Sequence, residues 1–286
     1  MCSIVIPCWK SGSWIEELVN RIEATMGSLG EPFELILVND ASPDNVTWPA
    51  IQVVAEQFAW VRGFDMLFNV GQFRAILCGF EQARGDYVIT MDDDLQHPPE
   101  ELPKLVRAMR ENPDILCVFG AYEGKRHSWW RNLGSRVVGW IMQKAYNKPP
   151  GIRTTSFRIM RRELVETLVR YRTSRPLLGP LIVQITRNVM TVPVDHHPRP
   201  HGKSGYSLLR LVTHTFDGII HASTAPLKLF SLIGFLAAGL AFALAIWLFG
   251  RWMVGGITVA GYTSTMLVIT FFSGLILAGV GVVGEY

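Results

Sequence analysis

The chain has 286 residues, 49% of them hydrophobic and 18% charged, with a mean hydropathy of +0.23. That balance excludes a disordered or collagen-like polymer. A net charge of +3 is too small for the concentrated basic stripe of a nucleic-acid binder, so no nucleic-acid partner is expected. Charge is distributed unevenly: after Lys228 only Arg251 and Glu285 remain, so the first part reads as a water-soluble domain and the last part as membrane.

Cys2, Cys8, Cys78 and Cys117 have no C-x-x-C spacing, which argues for a reducing compartment over a disulfide framework or a thiolate zinc site. The chain opens on Ser3-Ile4-Val5-Ile6-Pro7 without a basic and apolar leader, so the globular part is expected to remain in the cytoplasm. Short apolar strands are predicted near Ser3–Pro7, Phe33–Val38, Val61–Met66, Asp86–Met91 and Ile115–Phe119. Helical periodicity fills the gaps, at Trp14–Met26, Thr47–Phe58, Phe73–Gln82 and Glu100–Arg110. This rhythm implies an α/β domain with a mainly parallel sheet, in which ligands gather at the carboxyl ends of strands.

Two of those ends carry carboxylates: Asn39-Asp40-Ala41-Ser42-Pro43-Asp44 after the second strand, and Asp92-Asp93-Asp94-Leu95-Gln96-His97-Pro98-Pro99-Glu100 after the fourth. Three adjacent carboxylates repel, and partial burial makes a cation or solvent necessary to offset that repulsion. Oxygen ligands favour Mg²⁺ or Mn²⁺, which complete their shell with substrate phosphates. An acidic surface turn capping the helix after Pro98 would look the same in an isolated triplet.

Further along, Trp129 to Tyr146 mixes Val137, Val138, Trp140 and Ile141 with Arg131, Arg136 and Lys144, and Leu208 to Ile220 repeats the theme. Such stretches suit a membrane interface, giving expected amphipathic helices at about 128–146 and 206–226. Leu229 to Phe249 is 21 residues without a charge, about 30 Å as a helix, and a second apolar stretch follows Gly255-Gly256. Spans at about 227–249 and 262–284 would form a hairpin with both ends in the cytoplasm, and the stop at Glu285-Tyr286 is expected to mark a truncated tail. Gly279-Val280-Gly281-Val282-Val283-Gly284 spells a dinucleotide fingerprint, but no strand precedes it, and small residues there are expected to serve helix packing. His196, His197 and His201 lack the context of a zinc site, and the sequon Asn45-Val46-Thr47 lies in an expected cytosolic turn.

Taken in order, Ile6-Pro7, Asn39 to Asp44, Gly71-Gln72-Phe73-Arg74-Ala75 with Gly79, and Asp92 to Glu100 resemble glycosyltransferase family 2. Arg199-Pro200-His201-Gly202-Lys203-Ser204-Gly205-Tyr206, followed by the apolar hairpin, resembles that family's polyprenyl-phosphate branch, which includes dolichyl-phosphate mannose synthases and undecaprenyl-phosphate glucosyl and formamido-arabinose transferases. The resemblance implies a GT-A-like nucleotide-sugar-binding domain over 1–205. It implies a cytoplasmic-membrane enzyme that moves one sugar from a nucleotide donor, UDP-linked, to undecaprenyl phosphate. It further implies a homo-oligomer such as a tetramer. Asp92 and Asp94 match the metal-binding ends of a D-x-D motif for Mg²⁺ or Mn²⁺, with Asp93 between them. Pro7, Asp40 and Gln72 match donor-binding positions. Arg158, Arg199, Lys203, Ser204 and Tyr206 match the region where donor and lipid phosphate meet, with Arg158 and Arg199 in catalytic roles.

Four positions depart from the family pattern: Trp9 and Lys10 stand where Tyr and Asn are usual, Ala41 replaces a glycine, and Ser156 stands where some relatives have Asp. Between Glu166 and Asp195 there is no carboxylate, while Arg170, Arg172, Arg175 and Arg187 are present. A hydroxyl acceptor needs a base, whereas a phosphate monoester is already anionic near neutrality and needs only positioning, so this region favours a phosphate acceptor unless Asp195 serves as base. A processive polysaccharide synthase is the alternative enzyme, but its Q-x-x-R-W signature has Leu248 in place of Gln. A silent nucleotide-binding scaffold would not need Asp40, Asp92 and Asp94. The sugar stays open among glucose, mannose and a modified amino-arabinose.

Overall fold

The computed structural model describes residues 1–121, 149, 151–171, 177–195, 225–255 and 261–285. These fall into two units, Met1–Ser207 and Leu208–Tyr286.

In the first unit, β1 (Cys2–Cys8), β2 (Phe33–Asn39), β3 (Val61–Asp65) and β4 (Tyr87–Thr90) alternate with α1 (Ile15–Leu29), α2 (Thr47–Gln57) and α3 (Gln72–Gln82). A short 3₁₀ turn at Pro99–Glu101 leads into α4 (Leu102–Glu111), which is followed by β5 (Cys117–Ala121). Each lies within a few residues of its expected place. The apolar stripe of α1 buries Ile15, Leu18, Val19, Ile22 and Met26, and the helix closes on Gly30, whose φ of +66° is the left-handed cap glycine supplies cheaply. All seven residues of β1 are buried, as expected for a central strand covered on both faces. α3 approaches β1 so closely that a Cβ on Gly79 would lie 2.3 Å from Val5 Cγ1, so glycine there sets the helix-to-sheet distance.

The sheet has seven strands in the order β3-β2-β1-β4-β6-β5-β7. Its β3-β2-β1-β4 half is parallel, but β6 (Arg158–Arg161) enters antiparallel between β4 and β5. After it come α5 (Arg162–Arg170), α6 (Leu178–Ile185) and β7 (Val189–Pro193), which pairs parallel with β5. The sheet is therefore mixed, with its parallel half carrying the acidic loops.

In the second unit, α7 (Ala225–Met253) and α8 (Tyr262–Glu285) pack on each other. α7 contains a 22-residue stretch, Leu232–Met253, long and apolar enough to cross a membrane, while the apolar stretch described in α8 is the shorter Ser264–Leu277. The helices approach at Gly274, where a Cβ would sit 3.0 Å from Ala238 Cα, whereas Gly279 of the glycine repeat meets nothing within 4 Å. Among the described glycines of α8, close packing thus falls at Gly274, more than one turn before Gly279. The expected amphipathic stretch at 128–146 lies outside the described residues, as does 206–224.

Candidate active site

The carboxyl ends of β1, β2 and β4 form one edge of the sheet, and three loops converge on it. The β1–β4 ladder ends where Met91 N–H donates to Val5 C=O at 3.4 Å. Residues two apart in a strand turn their backbone groups to the same neighbour. The next N–H on that side would belong to Pro7, which is buried in β1 and has none. The ladder cannot continue, and Asp92, Asp93 and Asp94 leave the sheet at this point. Pro7 therefore shapes the site from within the strand.

Asp92 is held on both sides. Gln72 Nε2, at the first residue of α3, donates to Asp92 Oδ1 at 2.6 Å, and Ser156 Oγ, just ahead of β6, donates to Oδ2 at 2.6 Å. Burial pushes its carboxyl above the ordinary range; the Ser156 hydrogen bond works against that shift and the neighbouring Asp94 adds to it. Asp93 turns away toward the loop after β1, its Oδ2 accepting the Trp9 N–H at 2.9 Å and its C=O accepting Trp14 Nε1–H at 2.6 Å. Burial raises its carboxyl to about 6. Asp94 Oδ1 accepts the Gln96 N–H at 3.2 Å. Leu95, next in sequence, has φ of +58°, so the turn that carries the triplet is strained.

Asp40 is 4% exposed and its carboxylate is filled by the chain itself. Oδ1 accepts the Val70 N–H at 2.7 Å, and Oδ2 accepts the Gly71 N–H and Asn69 Nδ2–H, each at 2.9 Å. It fixes the loop that launches α3, and so the position of Gln72. Ala41 keeps the left-handed backbone with φ of +50°, so loss of the usual glycine leaves the turn's shape intact and adds strain.

Arg158 is 1% exposed beneath the triplet, its Nε donating to Thr90 Oγ1 at 3.1 Å and its Nη2 buried without a hydrogen-bond partner among the described residues. Its charge favours the ionised form of Asp92. Through the register Thr90–Arg158–Phe119, and Ala121–Pro193 beyond it, the end of β7 and Asp195 share this edge of the sheet. Arg187 precedes Val189, which pairs with Cys117, so it sits at the opposite end. That removes Arg187 from the expected cationic group, because a turn before an edge strand faces away from that strand's carboxyl end. Arg199, Lys203, Ser204 and Tyr206 lie outside the described residues.

The structure thus brings Asp92, Asp93, Asp94, Gln72, Asp40 and Arg158 to one edge. Sequence reasoning undervalued Ser156, Thr90 and Asn69, whose polar side chains are ordinary loop or strand residues until distant segments meet. Among the described residues no three His, Cys, Asp or Glu side chains converge as a preformed metal cage. Two hard carboxylates at a strained turn fit a Mg²⁺ or Mn²⁺ that takes the rest of its shell from phosphate and water.

The Glycosyl transferase family 2 model matches residues 3–169, which include Asp40, Gln72, the Asp92 triplet, Ser156 and Arg158. The chain belongs to glycosyl transferase family 2. Among curated relatives, the undecaprenyl-phosphate 4-deoxy-4-formamido-L-arabinose transferase of Pseudomonas paraeruginosa is 36% identical over 100% of this chain and 84% of its own length. That of Aeromonas hydrophila is 32% identical over 100% and 88%. Among solved structures, the mannosyltransferase PcManGT from Pyrobaculum calidifontis, in complex with GDP-Man and Mn²⁺, superposes with a TM-score of 0.51 at 18% identity over 97% of this chain and 86% of that one. This family 2 chain is a glycosyltransferase, and the expected resemblance to the polyprenyl-phosphate branch holds over its full length.

Proposed function

We propose that this glycosyltransferase moves a single sugar from a UDP-linked donor to undecaprenyl phosphate at the cytoplasmic face of the inner membrane, with inversion at the anomeric carbon. The observation that carries the reading is the Asp92 and Asp94 pair at the carboxyl end of β4, in a chain that matches curated undecaprenyl-phosphate transferases from end to end. The sugar these relatives are named for puts 4-deoxy-4-formamido-L-arabinose first among donors to test, ahead of glucose and mannose.

Asp92 and Asp94 would hold a Mg²⁺ or Mn²⁺, which supplies charge neutralisation to a departing diphosphate. Gln72 and Ser156 orient Asp92, and Asp93 anchors the triplet to the β1 loop. Arg158 favours the ionised form of Asp92, while Arg199 and Lys203 bind the acceptor phosphate. An oxygen of that phosphate attacks the anomeric carbon and the nucleoside diphosphate leaves from the opposite face. The acceptor is already anionic near neutral pH, so no chain carboxylate need remove a proton. Lys228 and the first span, continued by a second over 262–284, keep the catalytic unit at the surface where the acceptor resides.

The test is mass spectrometry of lipid product after incubating the full-length protein in membranes with undecaprenyl phosphate, divalent cation and a panel of nucleotide sugars. A mass increase of one sugar residue is expected with one donor, abolished by EDTA and by Asp94→Ala with the melting temperature retained. Full activity of Asp94→Ala would overturn the metal assignment, and absence of glycosylated lipid with every donor would overturn the acceptor.

A further inference from the structure

Each oxygen of the Asp92 carboxylate receives one short hydrogen bond, from Gln72 Nε2 on one side and Ser156 Oγ on the other, both at 2.6 Å. The two donors come from parts of the chain 84 residues apart by numbering, α3 and the entry to β6. Both are themselves fixed. Gln72 follows Gly71, whose N–H is bound by buried Asp40, as is the N–H of Val70 before it. Ser156 C=O accepts Thr90 Oγ1–H at 2.6 Å, and fully buried Thr90 in turn accepts from Arg158 Nε. Next to it, Thr155 Oγ1 donates to Gly120 C=O at 2.8 Å.

The chemistry of these partners is telling. A carboxylate has about four lone-pair sites, so two hydrogen bonds leave one on each oxygen. An amide and a hydroxyl are neutral, so they fix the carboxylate's rotation without cancelling its charge, as a lysine or arginine in the same place would. A carboxylate held like this meets a cation already oriented.

We propose that Gln72 and Ser156 are positioning residues that clamp Asp92 from both sides and leave one outward lone pair per oxygen for the divalent cation, so that each contributes to its affinity. This rests on the reading that Asp92 holds the cation. Partners that orient a metal ligand in this way commonly change metal affinity or activity by about 10- to 100-fold when removed.

The test measures Mn²⁺ affinity directly, by electron paramagnetic resonance of free Mn²⁺ titrated into the full-length protein with UDP, alongside melting curves in EDTA. Ser156→Ala is expected to weaken Mn²⁺ binding by about 10-fold with little change in melting, and Ser156→Thr, which keeps the hydroxyl, to stay within about threefold of the parent. Gln72→Leu, at an exposed position, should weaken binding by a similar factor and carries the test if Ser156→Ala fails to fold. Parent-like Mn²⁺ affinity in Ser156→Ala, or in Gln72→Leu where that variant must serve, overturns the clamp. Asp92→Asn separates the two claims: if it abolishes Mn²⁺ binding while the clamp variants bind normally, the clamp alone fails, and if it binds Mn²⁺ like the parent, the metal reading fails with it.

Discussion

The two ends of the same parallel strands are built on opposite principles. At the amino end the buried charge of Glu34 and the guanidinium groups of Arg62 and Arg162 are each met by partners. Ser3 Oγ donates to Glu34 Oε1 at 2.7 Å, the N–H groups of Arg84 and Gly85 close on the same pair, and Arg62 Nη1 reaches Glu34 Oε2 at 3.3 Å and Gln82 C=O at 2.9 Å. Arg162 caps the carbonyls of Ala83 and Gly85. At the carboxyl end, burial raises the carboxyls of Asp40, Asp92 and Asp93. The four non-glycine residues at positive φ among the described residues, Lys10, Ala41, Asn45 and Leu95, all lie in loops leaving this edge. Strain and unbalanced charge collect where a ligand can use them, and the other end holds the fold together.

The largest test of that division is Glu34→Ala. Glu34 is 5% exposed, and its loss leaves the Ser3 hydroxyl without its acceptor, takes the shorter of two hydrogen bonds from the Arg84 N–H and leaves Arg62 without its counter-charge. Chemical denaturation should show a loss of about 3 kcal/mol. Mn²⁺ affinity of the folded fraction should not move, because none of these groups touches the acidic edge. An equal loss of both would mean the two ends are coupled.

Asp93 gives the opposite sign. Burial lifts its carboxyl from 3.8 in the unfolded chain to about 6 in the fold, so the folded state holds the proton more tightly. Stability from this group is fully present below about pH 4 and is lost as pH rises to about 6. A rise of that size is worth about 3 kcal/mol, and solvent reaching a half-buried group trims that to about 2 kcal/mol. Asp93→Asn can still accept the Trp9 N–H, so in EDTA it should melt higher than the parent at pH 7 and lose the decline between pH 4 and 6. A parent-like pH profile in the variant would assign the strain to another group.

Much of this was legible in the sequence, for a physical reason. β1 to β4 and their helices declare themselves through local apolar periodicity and through Pro and Gly at their ends, and the Asp92 triplet falls at a strand end by that same local arithmetic. β6 was not legible: Arg-Ile-Met-Arg has no strand-like alternation, and its place between β4 and β5 follows from pairing partners about 70 and 40 residues away. Ser156 shares that fate, since its value comes from Asp92, which it meets only once β6 is in place. The role of Asp40 in fixing a loop was not legible, because a carboxylate at a strand end reads as ligand-facing until the loop 69–71, about thirty residues on, is seen to fill it. In the second unit, the sequence pointed to the glycine repeat that begins at Gly279 for close helix packing, but rotation about the helix axis decides which glycine faces the partner helix, and the close approach is at Gly274, with Gly279 meeting nothing within 4 Å.

The smallest effect probes the strain alone. Ala41 and Leu95 both sit in the left-handed region, yet only one can be relaxed cleanly. Leu95 is 2% exposed, so glycine there would relieve its backbone and lose its burial, an exchange that costs about 3 kcal/mol or more on balance with core truncations. Ala41 has only a methyl group to lose, and glycine adopts the same φ of +50° without its Cβ opposing the following carbonyl. Ala41→Gly should therefore raise stability by about 1 kcal/mol, read as a higher denaturation midpoint, with Mn²⁺ affinity and transfer rate unchanged because the turn keeps its shape. A midpoint that stays put would mean the turn stores no strain, and the clustering of positive φ at the acidic edge would then describe its geometry without accounting for its energy.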